Sequence, residues 1–170
     1  MKQTDAVTFF FEDDGSIPNN PSLPVLFYKG AMKGNEDKME ETFNHHHWLN
    51  SWTNGIFDYH HFHSNAHEVL GVISGHATVR LGGRNGQDLK VDKGDVILLP
   101  AGTGHKRIEA SDDFKVCGAY PEGMEPDIRT GKKEEHSDVV ENIKEVPLPL
   151  LDPVFGENGP VKEIWIKTNN

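Results

Sequence analysis

Between Ile56 and Tyr120 the chain breaks into short apolar runs separated by turn residues, and this rhythm constrains the fold more than any other feature. Phe57, Tyr59, His61 and His63 alternate onto one face, Glu68 to Ser74 forms a second run, and Ala77, Val79 and Leu81 form a third. Asn85-Gly86, inside Gly82 to Gly86, is a hairpin signal, and Asp92-Lys93-Gly94-Asp95 is another tight connection. Val96 to Leu99 reads as a buried strand stopped by Pro100. Strands at this spacing predict an all-β sandwich or barrel rather than a βαβ fold.

The flanks differ from this centre. Residues 1 to 34 form an arm rich in Pro and Asn, with an edge strand expected at Leu23 to Tyr28, where proline is tolerated near the ends. Residues 35 to 50 read as a helix: Asn35 can cap it, Glu36 and Asp37 occupy the acid-favouring first turn, and Met39 and Phe43 are spaced i, i+4. His45, His46 and His47 then fall in its last turn. Beyond Pro121 the chain is polar until Ser137, which can cap a short helix with Val139, Val140 and Ile143 on its apolar side, ending before Pro147. Val161 to Ile166 alternates as a final strand that would pack the C-terminal arm back on the barrel. With no repeat and no long linker, one domain over residues 1–170 is expected, with a barrel core over about 55–120, an N-terminal arm and helix over 1–54 and a C-terminal wrap over 121–170.

Composition narrows the function. Asp and Glu number 27 against 17 Lys and Arg, a formal charge of −10, which argues against nucleic acid, since a phosphate-backbone binder needs a basic surplus on one face. The single cysteine, Cys117, lies in a strand-like stretch with no CxxC partner and reads as a buried thiol. No apolar run approaches the ~18 residues of a membrane span, and the first residues lack the pattern of a signal peptide, so the cytoplasm is the expected compartment.

Ten histidines, most of them between His45 and His105, invite a search for metal-ligand spacing. Two blocks answer it. The first is a glycine (Gly55), five residues, His61-x-His63, four residues, Glu68, six residues and Gly75; the second is Gly94, five residues, Pro100-x-Gly102, two residues and His105. With 18 residues between them, they resemble the two motifs of the cupin superfamily. The wider chain is similar to the small bacterial cupins of the YjlB type, through Pro18-Asn19-Asn20-Pro21-x-Leu23-Pro24-Val25, Gly118-Ala119-Tyr120-Pro121, and Val146-Pro147-Leu148-Pro149 with Asp152-Pro153. The resemblance implies a double-stranded β-helix, or jelly-roll barrel, with terminal arms and one or two short helices. It also implies one divalent metal ion held by His61, His63, Glu68 and His105, and a homodimer whose contact involves the N-terminal arm.

The residue chemistry agrees. His61 and His63, two apart, point to one face, here the barrel interior, and Glu68 and His105 can converge on the same point from neighbouring strands. Three imidazoles and a carboxylate with a divalent ion carry a net charge of about +1 and suit Fe, Mn, Co, Ni or Zn. Four ligands on one side of an octahedron leave two positions open, unlike a closed structural zinc site. The expected function is therefore that of a metal cupin acting on a small polar organic molecule such as a sugar acid or keto acid, by oxygenation or isomerisation, or else a non-catalytic metal-dependent binder or sensor.

Several other residues are candidates. Tyr59 and Glu109 could serve as acid or base. Glu109 also stands where the family's second motif ends in Asn, a position that is not a metal ligand. Arg107 shares the parity of His105, so it could hold a substrate carboxylate or make a surface ion pair. Phe57 and Tyr59 could wall a pocket. His67 is expected on the opposite face from Glu68, as a supporting or surface group, unless a bulge swaps the two. His45, His46, His47 and His60 read as a solvated helix end and an outward strand face, while His76 and His136 have no supporting neighbours.

Overall fold

The computed structural model describes residues 6–167; residues 1–5, on which the signal-peptide reading partly rests, lie outside the described residues. The strands are β1 (Val7–Phe9), β2 (Val25–Tyr28), β3 (Trp48–Asn54), β4 (Glu68–Ser74), β5 (His76–Leu81), β6 (Gln87–Asp92), β7 (Val96–Leu99), β8 (His105–Ala110) and β9 (Lys115–Pro121). They form a six-stranded sheet in the order β1-β2-β7-β4-β9-β3 and a three-stranded sheet in the order β6-β5-β8, paired antiparallel throughout. The two sheets make the jelly-roll barrel, with arms and two short helices, α1 (Met39–His45) and α2 (His136–Glu145).

The central strands of the large sheet, β2, β7, β4 and β9, are buried on both faces, whereas β1 and β3 at its edges are partly exposed. Leu70, Val72, Ile97, Leu99 and Val116 pack with Ala77, Val79, Leu81 and Val91 of the small sheet to fill the barrel. Val69, Val96, Leu98, Cys117 and Ala119 form a second layer with Met39 and Phe43 of α1, Trp48, Val161 and Trp165. Double burial explains why Val96 to Leu99 is an unbroken apolar run rather than an alternating one. Met39 and Phe43, both fully buried, contribute roughly 1.5–3 kcal/mol each by leaving water. They reach the sheet because Gly71 of β4 has no side chain; a Cβ there would overlap both. Burial in this layer pushes the Cys117 thiol up to about 12, so it is an inert core group.

Four elements depart from expectation. The helix beginning near residue 35 ends at His45 instead of running to 50, because His47 adopts a left-handed backbone (φ 64°) and Trp48 turns into β3, its indole donating to the Leu151 carbonyl at 2.9 Å. The strand at Val25–Tyr28 is not an edge, since β1 pairs outside it. The strand predicted from Ile56 does not form; residues 55–60 are irregular, and only His61 and Phe62 make isolated bridges. Val161–Ile166 is a wide, π-type helix rather than a strand. Pro160 has helical backbone angles, and Val161 and Trp165, four apart, are the two fully buried positions, so the period is helical. Buried Asp152 anchors this turn, accepting from the Val161 N–H at 3.0 Å and the Tyr28 hydroxyl at 2.7 Å.

Candidate metal centre

The site lies at one end of the barrel, where strands begin. Glu68 is the first residue of β4 and shares the inward parity of Leu70 and Val72, while His105 is the first residue of β8. His61 reaches the same end by pairing with His105, its N–H donating at 3.2 Å and its carbonyl accepting at 3.0 Å. Phe62 is held on the other side by two 2.9 Å bonds to Arg129, and the His63 carbonyl accepts from Gly102 N–H at 2.8 Å. The His-x-His segment is therefore clamped from both sides without belonging to a continuous strand.

His61, His63 and His105 are all buried, and one nitrogen of each lies within 4.8 Å of the others. Each ring's Nδ1 faces a backbone carbonyl: Tyr59 at 3.1 Å for His61, Asp127 at 2.5 Å for His63, and Thr103 at 3.0 Å for His105. A carbonyl can only accept, so each Nδ1 directs its N–H at the backbone, which leaves Nε2 as the nitrogen available to an ion. Glu68 lies fully buried with Oε1 at 3.3 Å from His63 Nε2 and 3.4 Å from His105 Nε2. Its other oxygen accepts from the Tyr120 hydroxyl at 2.7 Å, and that hydroxyl accepts from Trp52 Nε1–H at 2.8 Å.

The electrostatics favour a cation at this point. Burial, reinforced by the charge of His105, lowers His61 to about 3, so its ring is neutral at physiological pH. Burial opposes ionisation of Glu68 but is outweighed by His63 and His105, which hold the carboxyl below its ordinary range. His63 shows the converse: burial opposes its cation, and Glu68 more than compensates, raising it. A buried carboxylate beside three imidazoles is a donor set that fits a divalent ion, and the three-histidine cluster could hold one.

A cavity of about 340 Å³ opens in front of these donors, walled by Trp52, Ile56, Phe57, Leu70, Pro126 and Ile128, with Thr53, Asn54 and Tyr120 as further polar groups. Other candidates lie elsewhere. Tyr59 is exposed, stacks on Phe57 with centroids 4.9 Å apart, and does not line the cavity. Arg107 approaches Asp58 at 3.8 Å on the surface. Glu109 lines a groove of about 500 Å³ on the small sheet, with Lys29, His76 and Lys90. His67 does face away from Glu68 but is buried, its Nδ1 accepting from Ala101 N–H at 2.9 Å and its ring 5.0 Å from that of Trp165. His46 bonds the Pro153 carbonyl, His60 accepts from Gly83 N–H, and His136 pairs with Asp13. None of these joins a second metal-capable cluster among the described residues.

Sequence reading missed Trp52 and Tyr120. Trp52 falls just past the helix expected to end at residue 50, and its partner lies across the β3–β9 pairing, where Trp52 sits opposite Gly118. The available signal was the alternation of Gly118 and Tyr120, a missing side chain two residues from a hydroxyl on one face.

The cupin domain family model matches residues 52–116, a span containing all three histidines and Glu68. The uncharacterized protein YjlB of Bacillus subtilis (strain 168) is 44% identical over 160 residues, covering 94% of this chain and 96% of the relative. This chain belongs to the YjlB family of cupins. Among solved structures, this cupin is similar to a chain from the crystal structures of the DMSP lyases RdDddP and RnDddQII, with 26% identity and a TM-score of 0.38 over 48% of this chain and 41% of that one. It is also similar to the WlaRB TDP-quinovose 3,4-ketoisomerase of Campylobacter jejuni, with 16% identity and a TM-score of 0.42 over 55% and 75% of the two chains.

Proposed function

We propose that this cupin is a mononuclear divalent-metal enzyme acting on a small organic molecule, with His61, His63, Glu68 and His105 holding the ion. The observation that carries this reading is the convergence of His61, His63 and His105, one nitrogen of each within 4.8 Å of the others and each Nδ1 set against a backbone carbonyl. When bound, the ion supplies Lewis-acid polarisation of a substrate oxygen, or redox chemistry with dioxygen if it is iron. The chain's own groups do the rest. Glu68 offsets part of the ion's charge, Tyr120 holds Glu68 in place, and the apolar walls exclude water from the reacting end of the substrate. Two reaction classes suit this donor set: oxygenation with Fe(II), and redox-neutral isomerisation or epimerisation with Mn, Ni or Zn.

A second reading, a metal-dependent binder or sensor, is favoured by one feature. Tyr59 and Glu109, the expected acid or base groups, do not line the cavity, and the Tyr120 hydroxyl there is held protonated by burial and by Glu68. The homodimer and the cytoplasmic location also belong to this proposal; no helix among the described residues is long and apolar enough to cross a membrane.

The test is elemental mass spectrometry on untagged protein purified without chelator, beside His63→Ala. About one equivalent of metal per chain, lost in the variant, supports the site. No metal in either sample after reconstitution refutes it. Turnover of a bound ligand by the loaded protein then separates enzyme from binder.

A further inference from the structure

Among the described residues, no lysine or arginine lines the cavity that meets the three histidines. Its walls are mostly apolar, made by Trp52, Ile56, Phe57, Leu70, Pro126 and Ile128, with the uncharged Thr53, Asn54 and Tyr120 as the polar groups. Lys106 and Arg107, which follow His105, do not line it, and Arg107 is drawn to Asp58 outside it. The mouth continues the same character: Phe57 is 46% exposed and Ile128 53%, and Tyr59, 44% exposed, stacks on Phe57. Single exposed apolar residues are ordinary, but three beside one cavity form an apolar rim.

Charge accounting points the same way. Three neutral imidazoles, one carboxylate and a divalent ion carry about +1, so a single negative charge on the ligand's metal-binding end balances the site. A second carboxylate further along the ligand would sit against apolar walls with no cation to meet it, a costly burial. At about 30 Å³ per water-sized volume, the cavity's roughly 340 Å³ admits a ligand on the order of ten non-hydrogen atoms.

Resting on the metal-site reading above, we propose that the ligand is neutral or singly charged at its metal-binding end and carries an aromatic or branched aliphatic body against Trp52, Phe57 and Ile128. A dicarboxylate does not suit this cavity.

Hydroxypyranones test this, because one metal-binding head carries different bodies. Zinc-loaded protein is titrated calorimetrically with allomaltol (methyl body), kojic acid (hydroxymethyl) and comenic acid (carboxylate), in which the body stands at the same ring position. Allomaltol is expected to bind at least about tenfold more tightly than comenic acid, with kojic acid between them. Ile128→Lys, at an exposed position that leaves the fold intact, should narrow or reverse that ratio. Comenic acid binding as tightly as allomaltol, or a ratio unmoved by Ile128→Lys, overturns the proposal.

A metal-free arm keeps it separable from the metal reading. Trp48 and Trp165 are fully buried, so quenching of tryptophan fluorescence reports on Trp52 in the cavity wall. In metal-free protein p-cresol should quench at lower concentration than 4-hydroxybenzoate. Equal quenching refutes the apolar-body assignment, whereas failure to take up zinc with p-cresol still preferred refutes the metal site alone.

Discussion

Tyr120→Phe removes one oxygen and with it two hydrogen bonds, which makes its consequences countable. The first bond is the 2.7 Å donation to Glu68, a buried ionised carboxylate, and losing such a charge-assisted bond costs about 1.5–3 kcal/mol. The second is the 2.8 Å bond from Trp52, whose indole is only partly buried and can turn to water, so its loss adds under about 1 kcal/mol. The sum, roughly 1.5–4 kcal/mol, corresponds to a fall in Tm of about 3–16 °C for a chain of this length. Calorimetry on metal-stripped protein at neutral pH measures it. If Glu68 is a ligand, zinc affinity in competition with a chromophoric chelator should also fall about 10–100-fold, the usual effect of removing a group that holds a ligand. Tyr28→Phe is the control: its hydroxyl donates to Asp152 at 2.7 Å, remote from the histidines, so it should lower Tm and leave zinc affinity alone. A Tyr120→Phe protein with unchanged Tm and wild-type affinity would refute the Trp52-Tyr120-Glu68 relay.

Stripping the ion with a chelator should lower Tm reversibly, by the equivalent of about 2.7 kcal/mol when the free metal had stood at a hundred times its Kd; differential scanning fluorimetry checks this. His67, lowered by burial to about 4, remains neutral in the fold but protonates near 6.5 when unfolded. Its contribution is therefore complete above about pH 6.5 and is lost as pH falls toward 4, at most about 3 kcal/mol. Urea titrations across that window should show a shallower slope in His67→Asn, whose Oδ1 can still accept from Ala101 N–H. Phe43→Ala, which empties the space over Gly71, should cost about 3–5 kcal/mol in urea unfolding, with metal content per folded chain unchanged. Arg107→Ala and Glu109→Gln should leave both metal content and hydroxypyranone binding within twofold of wild type, since neither residue lines the cavity.

What the sequence disclosed depended on the range of the interactions involved. The runs at Glu68–Ser74 and Val96–Leu99 matched strands to the residue, because each is bounded by local turn chemistry at Gly75, Gly94 and Pro100. The convergence of His61, His63 and His105 was legible from the two spaced blocks and their resemblance to the cupins, although His61 and His63 do not lie on a regular strand. The segment after Ile56 alternates as well as any strand, yet its backbone bonds go to His105, Arg129 and Gly102 rather than to a neighbouring ladder, and no local pattern encodes those partners. Val161–Ile166 fails for the opposite reason. Six residues fit both periods, and only the contacts of Val161 and Trp165 with the outer layer of the large sheet decide between them. Which charged residues serve the cavity was likewise hidden: Arg107 has the right parity, but Asp58, on an irregular stretch, draws it outward.

The Trp52 indole lies directly over Gly118, where an added Cβ would fall inside the ring. Positions 52 and 118 are therefore not free to vary independently. Any side chain arriving at 118 must wait for a smaller residue at 52, and that first change already surrenders the bond to Tyr120 and one wall of the cavity. The order of substitutions is fixed by sterics, so a lineage that keeps the indole is locked into glycine opposite it. Lineages that lose the indole are free to reshape that wall of the pocket and the strand opposite it together.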